Sequence, residues 1–128
     1  MTRSVALSRL LLVHAAVTLA AGVALVVAPG LIPGAIGIDL SPSAYLVSYL
    51  LAAAELGFAV LSFQARRLTD ADALRAVVSA CVTLHAASAL LEVYAFAQGV
   101  SAAIWLNVAA RVLIVGLFLR LRPSGAGR

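Results

Sequence analysis

Glu55, His85, Glu92, Asn107 and Arg111 are the residues of this 128-residue chain best able to do chemistry, and each interrupts an otherwise apolar run. Glutamate and histidine can take up and release protons, and arginine or asparagine can steady developing negative charge. His14 supplies a second imidazole, and Tyr94 and Trp105 are secondary candidates beside the outermost polar residues. Cys81 is the one cysteine and sits among apolar neighbours. It reads as a small buried hydrophobe, with no CxxC or Cys/His cluster to suggest a metal.

The elements that must position these residues follow from composition. Of the residues, 64% are hydrophobic and 11% charged, against roughly 45–50% and about 25% in soluble domains. Four stretches reach the roughly 20 apolar residues that a membrane-spanning helix needs. They run from about residue 10 to 28, 44 to 64, 76 to 96 and 102 to 119. The expected fold is therefore an all-α, four-helix up-down transmembrane bundle forming a single domain over residues 1–128. The first apolar run exceeds the 7–15 residues of a signal h-region, so it is expected to stay as a helix.

Charge placement sets the orientation. Arg3 and Arg9 precede span one, Arg66, Arg67 and Arg75 lie between spans two and three, and Arg120, Arg122 and Arg128 follow span four. The other two loops carry no arginine. The positive-inside rule then makes both termini cytoplasmic, in an inner cell membrane. Arginines at segment ends point to orientation and not to nucleic acid, which would need a basic face with polar or aromatic interleaving. On the outer side, Gly30 to Pro42 is a greasy loop with one charge, Asp39. It is either a plain connector or a lid over an outward-facing pocket. Asp70 is placed to cap span three.

An ionisable group at the bilayer centre costs about 2.5–3.5 kcal/mol on insertion scales, so such groups are expected to face one another. With a rise of about 1.5 Å per residue, Glu55, His85 and Arg111 fall at one level near the midplane. Glu92 lies roughly 9 Å and Asn107 roughly 5 Å nearer the outside, and His14 lies toward the cytoplasm. Cys81, His85, Ser88 and Glu92 share one helical face, as do Asn107 with Arg111, His14 with Thr18, and Ser48 with Glu55 and Ser62. Four polar stripes should turn inward, with Gly22, Ala52, Gly57 and Ala59 allowing close approach. Arg111 is expected to pair with one glutamate, with Glu55 the leading partner at its own level. Glu92 can instead reach toward the outer headgroups, and Tyr94 and Trp105 can belong to the aromatic belt.

Three functions fit this constellation. One is an accessory or lipophilic-ligand-binding protein with a polar pocket between spans two, three and four, docking a small molecule, a membrane partner subunit or a second copy. Another is a proton-coupled transporter acting as an oligomer, although no Gly/Pro-broken helix pair is present. The last is a membrane enzyme or quinone-linked redox subunit, with Glu55 or Glu92 as acid, His85 as base and Arg111 as oxyanion partner. No cofactor is required, though a quinone or a haem b held by His14 and His85 is compatible with the residues present.

The segment Ala53-Ala54-Glu55-Leu56-Gly57-Phe58-Ala59-Val60-Leu61 resembles the Glu-Leu-Gly-Gly stretch in the second helix of DoxX-like small membrane proteins, with Phe58 in place of the second glycine. The layout is similar too: an apolar loop with a proline after helix one, a basic inner turn and a closing Arg-terminated helix. The resemblance implies a four-helix bundle and carries over Glu55 alone. Some members of that superfamily are linked to quinone-coupled thiosulfate oxidation.

Overall fold

The computed structural model describes residues 3–124, so Arg128 lies outside the described residues. Four long helices dominate it: α1 (Arg3–Val27), α3 (Tyr45–Ala65), α4 (Ala71–Ala97) and α5 (Ile104–Leu121). A short helix, α2 (Leu31–Ala35), and a single 3-10 turn (Pro42–Ala44) lie in the α1–α3 connection. No strand occurs among the described residues. The four long helices are each long and apolar enough to cross a membrane. Their outward faces carry Leu50, Leu90, Leu106 and Val112, each 60–82% exposed. In water such a continuous apolar surface would be a serious liability; in lipid it is the required exterior.

The helix limits differ from the hydropathy reading at three places. α1 begins seven residues before Leu10, because Arg3 to Arg9 contain no helix breaker even though they are not uniformly apolar. α4 begins at Ala71, where the Asp70 carboxylate accepts a hydrogen bond from the Ala73 amide at 2.7 Å and caps the first turn. α5 is displaced toward the C-terminus by two residues, ending at Leu121. Hydropathy locates the apolar run, whereas helix ends follow from caps and breakers.

Each helix buries one narrow stripe. On α1 it is Leu7, Leu11, His14, Thr18 and Leu25. On α3 it is Ser48, Ala52, Glu55, Ala59, Ser62 and Ala65. Spacings of three and four keep these on one face. The α3 stripe is almost all Ser and Ala, which lets α1 settle closely against it. Gly22 of α1 completes the fit: a Cβ there would stand 2.9 Å from Leu56 Cγ and 3.3 Å from the Ala52 carbonyl oxygen. Gly57, expected in the same role, has nothing within 4 Å of its notional Cβ. It sits two residues from Glu55, about 200° round the helix, on the outer face.

α1 packs most extensively on α3, and α4 on α5; shorter contacts of α1 with α5 and α3 with α4 close the ring. Neighbours are antiparallel. Ser8, near the start of α1, donates to the Arg66 carbonyl just past α3 at 2.9 Å, and Ser48, near the start of α3, donates to the Pro29 carbonyl at 2.8 Å. The arginine-bearing segments thereby gather at one end, where Arg75 donates to the Ser124 carbonyl at 3.3 Å and pairs with Asp72. Just inside that end, Leu7, Leu11, Ala65, Val78, Cys81 and Phe118 form a dry core. At the other end Gly37, at φ +79°, turns the α2 loop against the α4–α5 turn. A side chain there would meet Ser101 Cβ at 3.4 Å.

Candidate functional site

Above the dry core the buried stripes change from apolar to polar, and the polar groups form one connected chain. His14 of α1 and His85 of α4 meet across the diagonal of the ring, Nε2 to Nε2, at 2.8 Å. His14 Nδ1 lies 2.8 Å from Ser62 Oγ of α3, and Ser62 Oγ lies 3.9 Å from Cys81 Sγ. On the other side His85 Nδ1 lies 3.3 Å from an Arg111 terminal nitrogen. Arg111 Nε donates to Glu92 Oε1 at 2.7 Å, and Asn107 Nδ2 donates to the same oxygen at 2.7 Å. All four long helices contribute.

The directions of these bonds follow from one fixed donor. Arginine has no acceptor, so His85 Nδ1 accepts from Arg111. His85 then carries its proton on Nε2 and donates to His14 Nε2. His14 in turn holds its proton on Nδ1 and donates to Ser62 Oγ. Arg111 thus sets the tautomer of both rings. The two imidazoles meet edge to face, with centroids 5.1 Å apart, and Phe118 closes on His14 in the same manner at 5.3 Å. The two Nε2 atoms, 2.8 Å apart, share a hydrogen bond. No group of three or more His, Cys, Asp or Glu placed to hold a metal occurs among the described residues.

Several expected placements are corrected. Arg111 pairs with Glu92, not with Glu55, because its long side chain spans the height difference that separates their backbones. Glu92 consequently turns inward and does not reach for headgroups. One of its oxygens, Oε2, is buried without a hydrogen-bond partner among the described residues. His14 is central, because the early start of α1 moves that helix's midpoint to Ala15. On α4 the buried face is Val78, Cys81, His85 and Ala89, so Ala89 and not Ser88 continues the stripe. Tyr94 and Trp105 do not join the cluster: Tyr94 is 64% exposed, and Trp105 packs on Phe96 at 5.4 Å. Nine residues beyond His85 is half a turn out of phase, which sends Tyr94 to the opposite face. Ser62, the partner of His14, is not among the sequence candidates, although its seven-residue spacing from Glu55 is the visible sign of a shared face.

A cavity of about 400 Å³ opens on this cluster. His14, Thr18, Glu55, His85, Asn107 and Arg111 line its floor, and Leu10, Val13, Val17, Leu113, Ile114 and Leu117 line its walls. Most of the wall comes from α1 and α5, neighbours that meet over a much shorter stretch than α1 and α3. Ile32 of α2 borders the end nearest the greasy loop. The Thr18 hydroxyl is spent on the His14 carbonyl at 2.8 Å. Glu55 is 9% exposed and makes no hydrogen bond or ion pair among the described residues. It is the one ionisable floor residue left in that condition. No family model matches the chain, and neither a curated protein nor a solved structure matches it.

Proposed function

We propose that this chain is a multi-pass inner-membrane protein that holds a lipophilic small molecule in the cavity between α1 and α5, with both termini cytoplasmic. The observation that carries the reading is the union of a polar floor with aliphatic walls in one space of about 400 Å³. Ligand sites typically measure 300–1,000 Å³ and combine apolar linings with a few convergent polar groups. Val13, Val17 and Leu113 are each 56–63% exposed on the lipid-facing side. The mouth is thus an apolar slot between two helices, suited to a molecule already dissolved in the bilayer. Orientation rests on the arginines gathered at one end.

The test is photolabelling of the reconstituted protein with a hexadecyl probe carrying a diazirine in its tail. Labelled peptides are expected from the mouth, at Val13, Val17 or Leu113, in excess over the outer face of α3 at Leu46 or Leu50. A Val17→Trp variant should lose the mouth labelling while still folding. Equal labelling of all lipid-facing surfaces would remove the ligand-binding reading.

A further inference from the structure

From the unmatched carboxyl on the cavity floor, we infer that the molecule bound there carries a hydrogen-bond-donating head, an alcohol or an amine, which Glu55 receives. The inference rests on the ligand-binding reading and narrows its chemistry.

Each of the floor's other polar groups already has at least one partner. Arg111 gives Nε to Glu92 and one terminal nitrogen to His85. Asn107 gives its amide to Glu92. The two histidines satisfy each other and Ser62. Arg111 and Glu92 also cancel in charge. Glu55 remains: nine-tenths buried, lining the cavity, and without a hydrogen-bond partner among the described residues. Its oxygens are not sealed in protein but open onto the cavity, and a polar group facing only hydrocarbon there is left without a partner, at a cost.

A carboxyl group also offers more acceptor sites than donor sites. As a carboxylate it only accepts, so the partner that satisfies it is a donor, and the space in front of it is large enough for a head group. The aliphatic walls above it suit a hydrocarbon tail. Acceptor-only heads such as ethers would leave an ionised Glu55 as it stands, and an anionic head would oppose it.

The photolabelling assay reads this directly when run as a competition. Hexadecanol, hexadecylamine, hexadecyl methyl ether and hexadecane share one tail and differ in the head. The alcohol and the amine should displace the probe from the mouth at least about tenfold more effectively than the ether or the alkane, as a hydrogen bond to a charged group allows. In Glu55→Leu, which breaks no hydrogen bond present in the structure, that advantage should vanish while mouth labelling persists. Glu55→Gln keeps an acceptor and should retain the preference for the alcohol. Four equal competitors, or an advantage that survives in Glu55→Leu, would overturn the inference. Absence of mouth labelling by any probe would instead sink the ligand-binding reading beneath it.

Discussion

Arg111 organises the interior at the scale of single residues. It neutralises Glu92, fixes the proton on His85 and through it the proton on His14. The Arg111–Glu92 pair is part-buried, its side chains 15% and 16% exposed, so removing one member strands the other at a cost below the roughly 3–5 kcal/mol of a fully buried pair. Arg111→Met is therefore expected to lower unfolding stability in detergent by about 1–3 kcal/mol, and Glu92→Gln in the same chain should restore most of it. A double-mutant cycle checks this: strong coupling is expected between residues 111 and 92, and weaker coupling between Arg111→Met and Glu55→Leu, which share a cavity but no hydrogen bond. Near-additivity at 111 and 92 would count against the pair. That the interior would be polar was legible in the sequence, since the ionisable residues fell at similar heights in different spans. The choice of partner was not. Residue spacing fixes height only at the backbone, and a long guanidinium side chain crosses a full helical turn.

Among the elements, the fit of α1 on α3 is the tightest and rests on small side chains. Gly22→Ala would press a Cβ onto Leu56 Cγ and the Ala52 carbonyl, and overpacking of this kind costs about 1–3 kcal/mol. Gly57→Ala meets nothing within 4 Å; relief of the glycine backbone penalty should leave it neutral or stabilised by up to about 1 kcal/mol. Thermal unfolding of the two variants side by side checks the contrast, and equal effects would contradict the packing described. The apolar lengths made the four helices readable. Their ends were less so, because α1 starts among mixed residues and α4 starts at a cap. Which glycine faces a neighbour depends on helix rotation, and both Gly22 and Gly57 looked equally suitable in one dimension.

The whole molecule is a ring of four helices with a dry core at the arginine-rich end and a polar chamber above it. Neighbour order in that ring sets where the chamber opens, and nothing in the linear pattern names α1 and α5 as its walls. Orientation is checked in a Cys81→Ser background, with a new cysteine at Thr69 or at Asp39. A membrane-impermeant thiol reagent applied outside should label the Asp39 site and spare the Thr69 site; the reverse would invert the topology. The central claim, that the polar stripes converge because lipid offers them no other partner, is tested most directly at the two histidines. The chain has only these two, so NMR of histidine-¹⁵N-labelled protein in bilayers reads them without ambiguity. A through-hydrogen-bond coupling between the Nε2 atoms of His14 and His85, one protonated and one bare, is the predicted result. Two uncoupled imidazoles, unchanged when either is replaced, would contradict it.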